Sequence, residues 1–206
     1  MVVQDAQKCS HLAAPSILRT PKFVNALAYS PVIVSTEFIT QCLKKDELLE
    51  PNDFPLIDRT AEQRFSFSLK EAATKAKKNK NKLLQGYNIY CVETIRGGFD
   101  AFKSIVDANG GSCLLFRGRV VHKVQQPGSD DEGDGSEEDL RDQEVYLLSS
   151  VTPEHERLWG RFRQMVQEIG KTPRIVRVDW LLDMAMSQEV HAADQYELNE
   201  EMVERD

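Results

Sequence analysis

Two segments of the sequence share one pattern: residues 32–48 read VIVSTEFITQCLKKDEL and residues 174–190 read RIVRVDWLLDMAMSQEV. Each begins with β-branched residues typical of a buried parallel strand. A short cap, an aromatic residue and an amphipathic helix follow. Phe38 and Trp180 occupy the same place in the two segments. The repetition predicts two copies of one α/β fold, with these aromatics as structural residues.

Outward from these segments, the hydrophobic pattern predicts the order of the remaining elements. A strand at 9–13 and a helix at about 20–29 precede the first segment, and the helix that follows Val34 is expected to bury Phe38, Ile39, Cys42 and Leu43. Strands over 87–92, 112–116, 145–149 and 174–178 and helices over 99–109, 153–169 and 179–186 make up the second copy. Its order is β-α-β-β-α-β-α, which is typical of a small parallel sheet flanked by helices.

Composition suggests where one region gives way to the next. We predict the C-terminal part of the first copy over residues 1–48, a linker containing one helix over 49–83 and the second copy over 84–190. Residues 127–144 are predicted to be a disordered acidic insertion, and 191–206 an acidic tail that is frayed. Gly110 and Gly111 follow a predicted helix, at the position that favours a left-handed residue, and are expected to be structural.

Charge is distributed unevenly along the chain, whose formal net charge is −7. Residues 127–142 carry a net charge of −7 and residues 189–206 a net charge of −6, which leaves +6 on the rest. A mildly basic body of this kind favours a negatively charged partner. Ser129 and Ser136 precede acidic residues, a context that suits an acid-directed kinase, although an inert solvated loop explains the same sequence.

Several function classes find no support in the sequence. The four cysteines and four histidines are scattered without metal-ligand spacing, so no metal site is expected. No paired carboxylates or serine–histidine set stands out, and Gly97–Gly98 lacks the G-x-G-x-x-G spacing of a dinucleotide site. We therefore predict no catalytic residues, no cofactor and no enzyme activity. No secretory signal or membrane-spanning run is visible, so no membrane partner is expected.

The segment RTPKF at Arg19–Phe23 has the features of an anion site. Thr20 stands where a helix N-cap is expected, and Pro21 follows at the first helical position. Arg19 and Lys22 then place two positive charges at a helix start, where free N–H groups already favour an anion. An ordinary solvated helix start explains the same residues.

A second basic feature lies at the end of the linker. Five lysines fall within eight residues, namely Lys75, Lys77, Lys78, Lys80 and Lys82. Such a run is compatible with a nuclear-import signal, with contact to DNA, or with a solvated helix face.

Together these features resemble a tandem BRCT module, the phosphopeptide-binding repeat of DNA-damage mediator and scaffold proteins. The resemblance is carried by RTPKF, by the linker AEQRFSFSLKEAATKA running into LLQGYNIYCV, by the glycine pair and by VDWLL at residues 178–182. It is similar to fungal multi-BRCT replication-stress scaffolds and to animal mediators that read phosphorylated histone tails. It implies two BRCT repeats joined by a helical linker, and nuclear localisation.

The resemblance also assigns roles to residues. It implies that Lys22 and Thr20 bind the phosphate and that Arg19 and Phe23 contact the peptide, with Arg19 directed at the third residue after the phosphoserine. A carboxylate suits the planar fork of an arginine. The implied partner is a phosphorylated tail of a histone or checkpoint protein.

One departure from the family pattern affects this site. The family also holds the phosphate with a serine or threonine hydroxyl and a glycine N–H at the end of the first strand of the first repeat. The pattern places that strand before Cys9, so we expect the first repeat here to lack its initial strand-helix-strand and half of the pocket. The alternative function is a DNA-binding or protein-scaffold fragment without affinity for phosphopeptides.

Overall fold

A computed structural model describes residues 6–118 and 143–203. The strands are β1 His11–Ala14, β2 Val32–Ser35, β3 Asn88–Val92, β4 Ser112–Phe116, β5 Glu144–Ser149 and β6 Thr172–Arg177. The helices are α1 Pro21–Ala28, α2 Thr36–Lys45, α3 Arg59–Arg64, α4 Leu69–Asn79, α5 Phe99–Ala108, α6 Pro153–Glu168 and α7 Asp179–Ser187. They form two compact units. The first contains the described residues up to Leu84 with Ser104–Gly110 and Asp179–His191, and the second contains the remainder.

The sheet of the first unit consists of β1 and β2, which pair in parallel with His11 opposite Val32. Phe38 on α2 is buried beside the rings of His11 and Phe54. The prediction that Leu43 lies on the same buried face is wrong, because its side chain is 77% exposed. Ile39 is exposed as well. Two strands lie about 4.8 Å apart and therefore offer only a narrow surface to a helix. In the described part of the chain, this surface buries α2 only at Phe38.

The linker contains two helices rather than the single one predicted. The side chain of Asp58 accepts a hydrogen bond from the Ala61 N–H at the start of α3, and Ser68 accepts one from the Glu71 N–H at the start of α4. Between the helices Ser66 has a φ of 52°, which ends α3. Asp58 and Ser68 therefore cap two separate helices, and the first of them, α3, lies in a polar stretch for which no helix is predicted.

Three helices of the first unit pack against one another. Helix α1 contacts α4 and α7, and α4 also contacts α7. The interior of this cluster includes Leu27 of α1 and Trp180, Leu181 and Met184 of α7, all of which are fully buried. The packing brings residues from the first repeat, the linker and the end of the chain into one core.

The end of the linker is tied into this unit by polar side chains. The amide of Asn81 donates to the carbonyls of Ala28 at 3.0 Å and Ala108 at 3.1 Å, and Asn79 donates to the Gln188 carbonyl at 2.9 Å. Gly110 has a φ of +80°, and a Cβ atom there would lie 2.1 Å from the Asn81 carbonyl oxygen. The left-handed residue of the glycine pair is Gly110, since Gly111 does not have a positive φ.

The second unit is built on a four-stranded parallel sheet in the order β4-β3-β5-β6. Helix α6 packs on β5 and β6 and buries Trp159 and Phe162. The Phe162 ring meets those of Tyr90 and Phe116 edge to face, at centroid distances of 5.9 and 5.4 Å. The predicted order β-α-β-β-α-β-α and the α/β fold class are confirmed.

The acidic tail is ordered up to Val203, so the prediction that it is frayed is wrong. Residues 192–203 belong to the second unit, where Glu197 bridges antiparallel to Val176 and the Leu198 N–H donates to the Ile175 carbonyl at 2.8 Å. Tyr196, Leu198 and Val203 are buried. The tail thus covers the open edge of β6 with main-chain pairing and apolar contacts.

Ion pairs compensate the acidic residues of this tail. Arg174 on β6 bonds to Asp194, Glu197 and Glu144, and Arg163 on α6 bonds to Glu200. A count of acidic residues alone indicates repulsion and disorder, whereas the tertiary structure places basic partners opposite them. The predicted acidic insertion lies outside the described residues over 127–142, and Glu144 is part of β5 rather than of the insertion.

Candidate anion site

The start of α1 has the local structure that the sequence predicts. The Thr20 hydroxyl caps the helix by accepting from the Phe23 N–H at 3.5 Å, and Pro21 stands at the first helical position. Lys22 is exposed at the second helical position. Phe23 is 3% exposed and packs in the interior. Any contribution of Phe23 to peptide binding is therefore made by positioning the helix start rather than by surface contact.

Arg19 is held by two carboxylates of α7. Its guanidinium donates to the Asp179 carboxylate at 2.8 Å, to the Asp179 carbonyl at 3.3 Å and to the Asp183 carboxylate at 2.5 Å. The ring of Phe65 lies 5.6 Å from the guanidinium carbon. Four contacts around a side chain that is 21% exposed fix the direction of the guanidinium.

The two cations of the site are thus in different states. Two carboxylates compensate the charge of Arg19, whereas Lys22 makes no ion pair with any residue that the structure describes. Lys22 projects from the first turn of α1, where unpaired N–H groups favour an anion. The arrangement provides one available positive charge beside a guanidinium in a fixed orientation.

Sequence reasoning missed Asp179 and Asp183 as the partners of Arg19. Both belong to the segment DWLLD, and their spacing of four residues places them on one face of a helix. That spacing was a usable signal for an acidic pair. The sequence carried no signal that α7 packs beside the start of α1.

The second repeat contains the same helix start with the opposite charge. Thr152 caps α6 by accepting from the His155 N–H, and Pro153 stands at the first helical position, as Thr20 and Pro21 do for α1. Glu154 stands where α1 has Lys22. Its carboxylate accepts a hydrogen bond from the Thr94 hydroxyl at 3.2 Å. A carboxylate of the protein itself therefore stands at the start of α6, which disfavours an external anion there.

His155 extends this network into the interior. It is 2% exposed, with Nε2 2.9 Å from the Thr94 hydroxyl and Nδ1 2.7 Å from the Ser150 hydroxyl. Burial lowers the pKa of His155 below its usual value of 6.5, and the nearby charge of Glu154 offsets part of this effect. The neutral imidazole is therefore the form that the folded protein favours.

We expect the folded chain to lose stability between pH 7.5 and 5.5. Since the pKa of His155 is lower in the folded than in the unfolded state, its stabilising contribution is fully present above pH 6.5 and is lost as the pH falls towards the folded-state pKa. The urea midpoint at pH 7.5, 6.5 and 5.5 measures this loss. A His155→Gln variant should show a weaker dependence in the same interval. An equal dependence in both proteins would assign the effect to other groups.

The lysines at the end of α4 form the second basic feature. Lys75 is paired with Glu189 at 2.6 Å and lies 4.0 Å from Glu71. The other four lie on the last turn of α4 and the turn after it, are exposed, and make no ion pair with the described residues: Lys77, Lys78, Lys80 and Lys82. The backbone is helical at Lys77 and Lys78 and forms a turn at Lys80.

Other kinds of site find no residues in the described ranges. Within residues 6–118 and 143–203, no three histidine, cysteine, aspartate or glutamate side chains are grouped so that they could ligate a metal ion. Within the same ranges no helix has the length and apolarity needed to cross a bilayer.

Comparisons with known proteins identify the fold and the class. The family model described as the Regulator of Ty1 transposition protein 107 BRCT domain matches residues 1–56. The chain is 29% identical over 198 residues to BRCT-containing protein 1 of Schizosaccharomyces pombe, covering 94% of this chain and 21% of the relative. It is 32% identical over 109 residues to human Mediator of DNA damage checkpoint protein 1, covering 53% of this chain and 5% of the relative. The chain thus spans about a fifth or less of the length of these relatives.

Solved structures agree with this result. The BRCT5-BRCT6 domains of S. pombe Brc1 match with a TM-score of 0.73 and 25% identity, over 98% of this chain and 88% of that one. A complex of Rtt107p with a phosphorylated histone matches with a TM-score of 0.59 and 18% identity, over 92% of this chain and 75% of that one. The chain has the fold of tandem BRCT domains. In sequence it is similar to BRCT-containing scaffold proteins of the DNA-damage response.

Proposed function

We propose that the chain is a nuclear phosphopeptide-binding module in which Lys22 contacts a phosphoserine. The observation that carries the proposal is the exposed ammonium of Lys22 in the first turn of α1, which no described residue pairs, beside the oriented guanidinium of Arg19. A dianionic phosphate gains charge-assisted hydrogen bonds and helix-terminal N–H groups at such a place. The difference between the two helix starts supports the assignment, since Glu154 occupies the corresponding position in the second repeat.

The proposed partner is a phosphorylated protein tail. Rtt107p, one of the structural neighbours, was solved in a complex with a phosphorylated histone. For this chain the tail of a histone or of a checkpoint protein is the corresponding partner class. Arg19 contacts the main chain or terminal carboxylate of the third residue after the phosphoserine. Asp179 and Asp183 keep the guanidinium turned to that position and compete with the ligand for its N–H groups.

The roles of Thr20 and Phe23 in this proposal are indirect. The Thr20 hydroxyl caps α1 and fixes the N–H groups that face the phosphate, and Phe23 anchors the helix start from inside. Replacing either residue should weaken binding by displacing Lys22, whereas replacing Lys22 removes the contact itself.

We expect Lys22→Gln to weaken binding of a phosphoserine peptide about 10- to 100-fold, because hydrogen bonds to charged groups contribute about 1.5–3 kcal/mol each. Calorimetric titration with matched phosphorylated and unphosphorylated tail peptides measures the effect. Lys44→Gln removes the same charge from the exposed end of α2 and should leave the affinity unchanged.

The titration is performed on the 206-residue chain and on both variants. Stronger binding of the phosphorylated than of the unphosphorylated peptide that is lost with Lys22→Gln supports the proposal. If the chain binds both peptides equally, or if Lys22→Gln matches Lys44→Gln, the proposed function is wrong.

A further inference from the structure

Lysine and asparagine alternate where the linker leaves α4. Residues 78–82 read Lys-Asn-Lys-Asn-Lys. The two asparagines turn inward, where Asn79 donates to the Gln188 carbonyl and Asn81 to the carbonyls of Ala28 and Ala108. The lysines between and beside them are exposed. The asparagines thereby fix the backbone from which Lys77, Lys78, Lys80 and Lys82 project, and these four lysines are called the lysine turn below.

The backbone of the lysine turn places a lysine where a smaller residue is usual. Lys80 is the C-cap of α4, with a φ of 49°, and Asn81 follows with a φ of 63°. Glycine or asparagine normally takes a left-handed position after a helix, since a longer side chain is strained there. A lysine therefore occupies a strained backbone position at the end of α4, where its side chain projects into solvent.

Within residues 6–118 and 143–203, no acidic side chain forms an ion pair with the lysine turn. Residues 69–84 contain six lysines and a single glutamate. The ion pairs that the structure shows here, with Glu71 and Glu189, go to Lys75, which lies one helical turn earlier. None of the four lysines of the turn is paired with a described residue. The surface is therefore a fixed concentration of positive charge on a chain whose net charge is negative.

The composition around the turn distinguishes between classes of polyanion. No aromatic residue occurs between Phe67 and Tyr87, so this segment of the linker itself supplies no ring to stack on the unpaired bases of single-stranded DNA or RNA. Leu83 and Leu84 are buried, so the apolar residues that follow the lysines in the linker are not available to enter a lipid interface. The linker segment therefore offers positive charges without stacking or apolar groups, a composition that favours contact with the phosphate backbone of a DNA duplex.

We propose that the lysine turn binds the phosphate backbone of double-stranded DNA without sequence specificity. This surface is separate from Lys22 and Arg19, so that a single chain contacts a phosphorylated protein tail and the adjacent duplex through different residues. Binding of this kind depends on the release of counterions and is steeply sensitive to salt.

The test compares two variants of equal net charge. In the first, the four lysines of the turn are replaced by glutamine. In the second, four exposed cations elsewhere are replaced by glutamine, namely Lys44, Lys45, Arg59 and Arg96. Fluorescence anisotropy with a labelled duplex of about 20 base pairs at several salt concentrations measures the affinity, and thermal unfolding confirms that both variants fold.

We expect the lysine-turn variant to lose at least about tenfold in affinity at low salt, and its salt slope to decrease in magnitude by about 3 to 4, in line with about 0.9 per phosphate contact. The second variant should stay close to the unmodified chain. Three outcomes would each overturn the proposal. They are an equal loss of duplex affinity in both variants, no duplex binding by the unmodified chain, and tighter binding to single-stranded RNA or anionic vesicles than to the duplex. The affinity of the lysine-turn variant for the phosphopeptide should be unchanged. The DNA-binding proposal can therefore fail or hold independently of the proposed phosphate contact of Lys22.

Discussion

Replacing Gly110 with alanine should destabilise the chain by about 3–5 kcal/mol. The added Cβ would lie 2.1 Å from the carbonyl oxygen of Asn81 and 3.1 Å from the Cα of Lys82. Both atoms are backbone, so neither can turn aside. The φ of +80° adds about 1 kcal/mol of strain for a residue with a Cβ. At about 2–4 °C for each kcal/mol in a chain of this size, thermal unfolding should begin about 10 °C lower.

Gly86→Ala provides the matched control for this substitution. Gly86 has a φ of +84°, but a Cβ there would meet nothing within 4 Å. This variant therefore measures the conformational strain without the collision, and we expect a loss of about 1 kcal/mol. If Gly110→Ala loses no more stability than Gly86→Ala, the approach of the linker to the end of α5 is not as tight as the structure indicates.

Replacing Trp180 with alanine should cost about 3–5 kcal/mol. The side chain is fully buried in α7, and its indole Nε1 donates to the His191 carbonyl at 3.0 Å. Alanine would leave a cavity in the cluster of α1, α4 and α7 and remove the donor on which that carbonyl depends. Chemical denaturation followed by circular dichroism measures the loss.

Trp180→Phe separates the two contributions, because phenylalanine fills most of the volume and donates no hydrogen bond. We expect about 1–2 kcal/mol for this change. Phe38, which occupies the same place in the first repeat, is 7% exposed and packs on a sheet of two strands, so Phe38→Ala should cost less than Trp180→Ala. If Trp180→Ala and Trp180→Phe lose the same amount, packing around the indole contributes little to stability.

Local patterns in the sequence were sufficient for the elements that carry the fold. The repeated strand, cap, aromatic and helix predicted β2–α2 and β6–α7, and Thr20 with Pro21 predicted the start of α1. These features depend on hydrogen bonds within a few residues and on the spacing of apolar side chains, which are visible in one dimension. The same local reasoning placed Lys22 on an exposed first turn. The proposed boundaries over 1–48, 49–83 and 84–190 stay predictions.

Other features followed only from contacts between distant segments. Leu43 is exposed because the described part of the first sheet has two strands. The tail is ordered because it forms ion pairs with Arg174 and a backbone bridge to the edge of β6. Its acidic composition alone does not indicate these contacts. Periodicity identifies an apolar face but does not say whether a partner lies against it.

The sequence alone determined the α/β class, the two repeats, and two positive charges at the start of α1. Only the tertiary structure decided how those charges differ, by bringing Asp179 and Asp183 from the far end of the chain to Arg19 and leaving Lys22 unpaired among the described residues. The physical reason is that a side chain's type and its place on a helix are local properties. Its ion-pair partners depend on packing between segments some 160 residues apart.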